Sequence, residues 1–258
     1  MGMQSMFKKI RFSTSFVIPA LNEEKVVEGV VRAVWETVSL HLETFEIILI
    51  DDGSSDQTGQ IMDRLASQLS RVRVIHNTTN LGLGAAYQRG VREAKFDHVM
   101  MLCGDGGLPA ASLPVILEKI GTADIVVPYM TNLAVIKTPM RYRISRTYTS
   151  LLNLLSGHRL RYYNGLPVHR RALLEQITIT SSGFGFQGEI LVKLLKSGCS
   201  YVQVGVPGAE TTNKTSIFRV RNVFSVTATL LKLLFELIRF RRLEVVPVRE
   251  LASSGEAH

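Results

Sequence analysis

The stretch at residues 46–58 constrains the fold of this chain most, because an apolar run stops there at two carboxylates and a glycine. The four apolar residues 47–50 are typical of a strand that is buried on both faces of a parallel sheet. Asp51, Asp52 and Gly53 follow as a polar turn, and Ser54 can begin a helix whose apolar residues recur at helical spacing. Ligands of open α/β sheets bind at the carboxyl ends of the strands, so this turn is a candidate binding site. The alternative is an ordinary β–α turn that happens to be rich in Asp and Ser.

Short apolar runs alternate with helical patterns along the first half of the chain. The runs at residues 16–19, 72–75, 98–102 and 124–127 predict further strands, and the patterns at 26–38, 85–94 and 113–120 predict helices between them. This alternation is typical of an α/β fold with a Rossmann-like, mostly parallel sheet flanked by helices.

Beyond residue 128 the regular alternation of strand and helix patterns ends. We expect a loop over residues 129–139, a helix over 141–156, a helix over 189–196 and a strand over 201–206. On the helix over 141–156, the residues expected to face inwards are Ile144, Tyr148, Leu151, Leu152 and Leu155. His169, which precedes two arginines, is expected at the surface.

The composition limits the class of partner. A formal charge of +8 and a pI near 9.7 indicate an anionic partner, such as nucleic acid, acidic lipid or a phosphorylated substrate. Nothing beyond the charge supports nucleic acid. The 258 residues contain two cysteines, which is too few for a disulfide framework and favours a reducing cytoplasmic setting. The basic residues 1–11 are followed by no apolar run, and no uninterrupted run reaches the roughly 18 residues of a spanning helix, so we expect neither a signal peptide nor a transmembrane segment.

The C-terminal region predicts contact with a membrane surface. Residues 217–242 form a long helical pattern that is heavily apolar but interrupted by cations, and Arg239, Arg241 and Arg242 lie at its end. This density of charge favours an amphipathic helix that lies in the membrane interface over one that spans it. The alternative is a helix that packs in the core or in a homo-oligomer. Residues 243–258 are expected to be a flexible tail.

The predicted strand ends suggest what the site binds. Carboxylates gathered at one edge of a sheet can hold a divalent cation or accept hydrogen bonds from a base and a ribose. Glycine-rich turns such as residues 80–84 let a phosphate approach the backbone, and helix N-termini favour anions. Together these features predict a site for a nucleotide diphosphate.

Three motifs, in this order along the chain, resemble those of family 2 glycosyltransferases of the GT-A fold. They are Pro19-Ala20-Leu21-Asn22-Glu23-Glu24, the stretch from Ile50 to Thr58, and Asn80-Leu81-Gly82. In the later half, residues 185–193 and the strand that ends at Val206-Pro207 resemble the dolichyl- and polyprenyl-phosphate branch of that family. The resemblance implies a GT-A domain over residues 12–216, followed by the C-terminal helix and tail.

The resemblance also implies a donor site, in which Asp52 faces the base and Asp105 holds Mg²⁺ or Mn²⁺. The implied nucleotide-sugar-binding residues are Pro19, Ala20, Leu21, Glu23, Ile50, Asp52, Gly82, Gly104 and Asp105. The implied catalytic residues are Asp105, Gln187 and Glu189. These roles require that Asp52 and Asp105 share one cleft.

The chain departs from the family pattern at the metal motif. Cys103 stands where the first Asp of the family's Asp-x-Asp motif is usual, so the motif offers a single carboxylate, Asp105. Magnesium takes only one or two carboxylates when substrate phosphates and water complete its shell, so one Asp can suffice. A hard cation makes a thiolate ligand at Cys103 unfavourable.

The acceptor predicted from the resemblance is a lipid phosphate. The residues expected to bind its phosphate are Arg143, Arg146, Arg161, Lys214 and Arg219. Asn213 stands where this branch usually has an Arg, which is a second departure from the pattern. A phosphate is already a nucleophilic oxyanion at neutral pH, whereas an alcohol acceptor needs a general base, for which Glu189 is the best candidate.

The sequence therefore predicts an inverting glycosyltransferase that moves a sugar from a nucleotide-diphosphate sugar to a polyprenyl phosphate. We expect it to act at the cytoplasmic membrane face as a peripheral protein. Two alternatives stay open: a transferase that acts on a hydroxyl of a glycan or glycolipid, and a non-catalytic subunit that binds nucleotide sugars.

Overall fold

The computed structural model describes residues 9–183 and 185–209. Within these ranges seven strands form one sheet in the order β3-β2-β1-β4-β6-β5-β7. The strands are β1 (Thr14–Ala20), β2 (Phe45–Asp51), β3 (Val72–His76), β4 (His98–Met101), β5 (Ile125–Met130), β6 (Val168–Arg170) and β7 (Tyr201–Val206). The helices are α1 (Val27–His41), α2 (Thr58–Gln68), α3 (Leu83–Glu93), α4 (Leu113–Leu117), α5 (Leu133–Ile136), α6 (Pro139–Ser156), α7 (Arg171–Glu175) and α8 (Phe186–Lys196), with a 3₁₀ turn at Ala110–Ser112.

The centre of the sheet is parallel and buried on both faces, as the apolar runs predicted. Every residue of β1 and β2 is buried. The two strands pair in parallel from Thr14 opposite Phe45 to Ala20 opposite Asp51, so their carboxyl ends lie side by side. β4 pairs in parallel with the other side of β1.

The order of the strands creates a crevice at the end of β1. The chain runs from β1 outwards to β2 and β3, and then returns to form β4 on the opposite side of β1. Such a reversal of strand order is the place where open α/β sheets bind ligands. The predicted mostly parallel sheet is confirmed, with β6 as the exception, because β6 runs antiparallel to both β4 and β5.

Several predicted element bounds and inward-facing residues were wrong. The loop expected over residues 129–139 contains the end of β5 and the short helix α5, and α6 begins at Pro139. Ile144 and Leu151 of α6 are exposed to 45% and 43%, although they were expected to face inwards. Apolar character does not by itself place a residue in the core, since much of a protein surface is apolar.

His169 was expected at the surface and is only 2% exposed. It lies on β6, between β4 and β5, opposite Val99 and Ile125. This short strand carries little hydrophobic signal of its own, so its position inside the sheet could not be inferred from its residues.

No helix among the described residues is long and apolar enough to cross a bilayer. The C-terminal helix predicted over residues 217–242, the tail beyond it, and the predicted phosphate-binding residues Lys214 and Arg219 lie outside the described residues.

Candidate active site

The turns that follow β1, β2 and β4 meet at the end of β1. The carbonyl oxygen of Ala20 accepts a hydrogen bond from the N–H of Asp52 at 3.0 Å, and the carbonyl of Pro19 accepts one from Gly104 at 3.2 Å. A Cβ atom on Gly104 would lie 2.8 Å from the Cβ of Ala20, so only glycine allows this approach. The structure therefore places the Asp52 turn and the Gly104–Asp105 turn on opposite sides of β1, at one edge of the sheet.

The loops that follow β1 and β2 are hydrogen-bonded to each other. Ser55 N–H donates to Asn22 Oδ1 at 2.8 Å, and Glu23 N–H donates to Thr58 Oγ1 at 2.8 Å. Asn22 has φ 56°, a left-handed conformation that asparagine tolerates better than most residues. The polar residues of these two motifs thus build one rim of the site.

The two adjacent aspartates have different environments. Asp51 Oδ1 accepts a hydrogen bond from Ser54 N–H at 2.9 Å, and its Oδ2 lies 3.0 Å from His76 Nδ1. Burial acts to raise the pKa of Asp51, but the hydrogen bonds from Ser54 and His76 outweigh burial and lower that pKa. Asp51 therefore stabilises the turn as a charged residue and is buried below the rim.

Asp52 holds the turn between β3 and α3. Its Oδ1 accepts hydrogen bonds from Asn77 Nδ2 at 2.7 Å and from Leu81 N–H at 3.0 Å, while Oδ2 accepts one from Gly82 N–H at 2.9 Å. The residue is 4% exposed. Contact between Asp52 and a base stays a prediction, but its carboxylate already fixes the turn that borders the site.

The glycines of residues 80–84 have a packing role. The Gly82 N–H donates to Asp52 and to Asn80 Oδ1, and the Gly84 N–H donates to the carbonyl of Ser182 at 2.8 Å. A Cβ atom would lie 2.8 Å from the Ser182 carbonyl oxygen at Gly82 and 2.5 Å from the Ser181 carbonyl oxygen at Gly84. Both amides are hydrogen-bonded within the protein, and the missing side chains make room for the backbone of residues 181–182. Contact between this turn and a phosphate stays a prediction.

Asp105 is the carboxylate of the metal motif. It is half-buried, and its Oδ1 accepts a hydrogen bond from Gly107 N–H at 3.1 Å. Burial, followed by the charges of Asp105 and Glu23, raises the pKa of the Cys103 thiol, which favours its protonated form. In the part of the chain that the structure describes, no group of three or more His, Cys, Asp or Glu side chains could enclose a metal ion. The residues present fit a divalent cation that one carboxylate shares with the phosphates of a ligand.

A cationic cluster near this motif was missed from the sequence. Lys137 Nζ donates hydrogen bonds to Ser145 Oγ and Tyr162 Oη, both at 3.2 Å, and lies 5.0 Å from the centre of the Tyr162 ring. Burial, and then the charge of Arg141, lower the pKa of Lys137 to about 8. Burial raises the pKa of Tyr162 to about 12. Asn132, just before α5, donates a hydrogen bond to the Gly208 carbonyl at 2.9 Å, and the Ala209 N–H donates to the Gly107 carbonyl at 3.3 Å, so residues 208–209 connect the α5 region with the metal motif. The spacing of four residues from Lys137 to Arg141 and from Arg141 to Ser145 was an available signal.

The arginines that the sequence did select lie elsewhere. Arg143 and Arg146 are exposed on α6. Arg161 is exposed, donates a hydrogen bond to Tyr129 Oη at 2.9 Å and lies 4.7 Å from the centre of that ring. Their contact with an acceptor stays a prediction.

Glu189 and Gln187 are both buried in α8. Glu189 Oε1 accepts hydrogen bonds from Thr180 N–H, Thr180 Oγ1 and Lys193 Nζ, and Oε2 accepts one from Ser181 N–H. These donors outweigh burial and lower the pKa of Glu189. Gln187 Oε1 has no hydrogen-bond partner among the described residues.

The sheet, the switch in strand order and the loops that meet there define a GT-A fold. The chain belongs to glycosyl transferase family 2, whose model matches residues 15–184.

Several curated relatives are enzymes of lipid-linked sugar transfer. The chain is 28% identical over 211 residues to the polyprenol monophosphomannose synthase of Mycolicibacterium smegmatis, a match that covers 76% of this chain and 77% of the relative. It is 27% identical over 175 residues to the undecaprenyl-phosphate mannosyltransferase of Micrococcus luteus, covering 64% of this chain and 72% of the relative. A match of 26% over 232 residues to the glycosyltransferase AglD of Haloferax volcanii covers 86% of this chain but only 37% of AglD. The chain thus spans little more than a third of AglD.

Among solved structures, the fold is similar to that of glucosyl-3-phosphoglycerate synthase from Mycobacterium tuberculosis. The TM-score is 0.68 at 21% identity, and the match covers 86% of this chain and 78% of that one. That enzyme was crystallised with Mn²⁺, uridine diphosphate and phosphoglyceric acid. At this identity the likeness shows the fold alone.

Proposed function

We propose that this glycosyltransferase moves a sugar from a nucleotide-diphosphate sugar to a polyprenyl phosphate, with inversion at the anomeric carbon. The observation that carries the proposal is the meeting of the Asp52 turn and the Gly104–Asp105 turn at the end of β1, with residues 208–209 connecting the second turn to the region of Lys137. The acceptor class is supported by the polyprenol-phosphate and undecaprenyl-phosphate enzymes among the relatives.

The donor would lie across the end of β1. The rim formed by the loops after β1 and β2 would hold the nucleotide, and Asp105 would face the diphosphate. A Mg²⁺ or Mn²⁺ ion held by Asp105 would neutralise charge on the leaving diphosphate. Asp105 keeps one carboxylate oxygen beyond the bond from Gly107, which is enough for a cation that also binds the donor phosphates.

The cationic cluster suits an anionic acceptor. Arg141 lies close enough to lower the pKa of Lys137 after burial, and within the described residues neither cation forms an ion pair with a carboxylate. A phosphate placed there would relieve this repulsion. One of its oxygens would then attack the anomeric carbon as the bond from that carbon to the diphosphate oxygen breaks.

This acceptor also explains why the site needs no general base. A phosphate oxygen is already charged at neutral pH, so no proton has to be removed before the attack. The best carboxylate candidate, Glu189, accepts four hydrogen bonds and has a lowered pKa, which makes it a poor proton acceptor. A hydroxyl acceptor would need such a base.

The outer face of α6 supports docking on a membrane surface. Its exposed apolar residues recur at helical spacing and therefore form one stripe. They are Met140, Ile144, Leu151 and Leu154, with Val135 of α5 nearby in sequence. The exposed Arg143 and Arg146 flank this stripe, which suits acidic headgroups.

The proposal is tested by transfer from labelled UDP- and GDP-sugars to vesicles that contain undecaprenyl phosphate or the uncharged undecaprenol. We expect label only on the phosphate lipid. Lys137→Met should lower this transfer by roughly tenfold or more, because a charge-assisted contact to the acceptor is lost. Lys119→Met, at an exposed lysine after α4, is the matched control and should change little. Label on undecaprenol, or no transfer by folded protein from any donor, would refute the proposal.

A further inference from the structure

Glu189 and Lys193 form a buried ion pair one helical turn apart on α8. Their side chains are 2% and 5% exposed, and Lys193 Nζ lies 2.6 Å from Glu189 Oε1. Lys193 also donates to the Thr178 carbonyl at 2.8 Å. Both side chains of the pair therefore form hydrogen bonds with the segment at residues 178–181.

Glu189 binds this segment mainly through its backbone. The Thr180 N–H donates to Oε1 at 2.9 Å, the Thr180 hydroxyl donates to Oε1 at 2.8 Å, and the Ser181 N–H donates to Oε2 at 2.8 Å. A carboxylate is the one side-chain group that can accept all of these bonds together with that of Lys193. Removal of the Glu189 carboxylate would leave buried N–H and O–H donors without partners, which lowers the free energy of unfolding.

Residues 181–182 of this segment pack against the turn before α3. The carbonyl of Ser182 accepts the Gly84 N–H at 2.8 Å, and Gly82 and Gly84 leave no room for a Cβ atom beneath Ser181 and Ser182. The same turn is held from the other side by Asp52, through the N–H groups of Leu81 and Gly82. A continuous series of contacts thus runs from Lys193 and Glu189 to the donor side of the site.

We infer that Glu189 is a positioning residue. With Lys193 it fixes residues 180–182 against Gly82 and Gly84, and so sets the turn that Asp52 holds at the nucleotide side of the site. Glu189 acts on donor affinity through this turn and takes no proton from the acceptor. That the ligand at this turn is a nucleotide-sugar donor rests on the proposed function.

The test compares Glu189→Gln with Glu175→Gln in the full chain. Glu175 also pairs with a cation four residues away, Arg171 at 2.5 Å, but Glu175 is exposed on α7 and Arg171 is only half-buried. In Glu189→Gln we expect the amides of Leu81, Gly82 and Gly84 to exchange with solvent about tenfold faster, while amides of β1 keep their protection. Calorimetry with UDP or GDP and Mn²⁺ should show a Kd about tenfold weaker, with an unchanged pH profile of kcat. Lys193→Met should act in the same direction, and Glu175→Gln should change neither quantity.

Two results would overturn the inference. Loss of turnover in Glu189→Gln, with the Kd and the three amides unchanged, would make Glu189 a general base. Faster exchange across β1 as well, with the Kd unchanged, would make its role purely structural. If the wild-type chain binds no nucleoside diphosphate, the proposed function fails, and the amides of Leu81, Gly82 and Gly84 still decide whether Glu189 holds this turn.

Discussion

Residues of one type have different roles in this protein, because their surroundings decide what their polar atoms do. Asp51 binds Ser54 and His76 below the rim, while Asp52, the next residue, holds the turn before α3. Histidine shows the same contrast. His76 is 45% exposed at its side chain and its pKa is raised, first by the hydrogen bond to Asp51, whereas burial lowers the pKa of His169 to about 3.

His169 should make the fold sensitive to acid. Neither ring nitrogen has a hydrogen-bond partner among the described residues. Between pH 6.5 and about 3 the unfolded chain binds a proton at this residue and the folded chain does not, so the free energy of unfolding falls as the pH falls. One such group contributes at most ~1.4 kcal/mol per pH unit in this window.

We therefore expect His169→Leu to flatten the loss of stability below pH 6.5, measured by urea denaturation at several pH values. His158→Gln, at a half-buried histidine in the loop after α6, is the control and should keep the slope of the wild-type protein. Equal slopes in wild type and His169→Leu would show that other groups cause the acid sensitivity.

At the scale of elements, α6 presents two faces with opposite environments. Thr149, Leu152 and Ser156 are buried, and Arg141 and Ser145 lie on the same side of the helix by their spacing. The other side exposes Leu154 to 79% and Met140 to 63%. α6 would therefore carry Arg141 of the cationic cluster on one face and contact the membrane surface with the other.

Leu154→Ser should weaken binding to vesicles of acidic lipid by roughly tenfold, since burial of a leucine side chain is worth about 1.5–3 kcal/mol. Sedimentation with the vesicles measures this change. Leu40→Ser, at a leucine of α1 that is 56% exposed, is the matched control and should bind as the wild type does. Binding should also weaken at high salt, because Arg143 and Arg146 interact with the headgroups through screened charges. Equal losses in both variants would refute a specific role for α6.

At the scale of the whole molecule, ligand binding across the sheet edge should stabilise the fold. The donor would contact loops after β1, β2 and β4, which are far apart in sequence and adjacent only in the folded state. A ligand that binds only the native state at 100 times its Kd adds about 2.7 kcal/mol to the free energy of unfolding.

UDP or GDP should therefore raise the Tm of the wild-type chain, and Mn²⁺ should enlarge the shift. In Asp105→Asn, Mn²⁺ should no longer increase the rise in Tm caused by the nucleotide, because the variant lacks the single carboxylate of the motif. Thermal-shift measurements with nucleotide alone, metal alone and both together test this expectation. Asp97→Asn, at an exposed carboxylate before β4, should respond to Mn²⁺ as the wild type does. A persistent metal effect in Asp105→Asn would place the cation elsewhere.

The alternation of strands and helices from β1 to β5, and the positions of the motifs in the loops after these strands, followed from the sequence alone. They depend on local properties: the period of apolar residues, the turn residues after each strand, and the burial of both faces of a parallel sheet. The central strands β1 and β2 were recognised for this reason. The short strand β6 was not, because its three residues give no period to detect.

The partners of the site residues were decided only in the folded chain. Glu189 was expected at a helix start, and the structure joins it to Thr180, Ser181 and Lys193. Lys137 was not selected from the sequence, and the structure joins it to Ser145 and Tyr162. Local patterns predict which residues form an element, but burial, charge pairing and the choice of hydrogen-bond partners arise between segments that meet only when the sheet and its helices pack together.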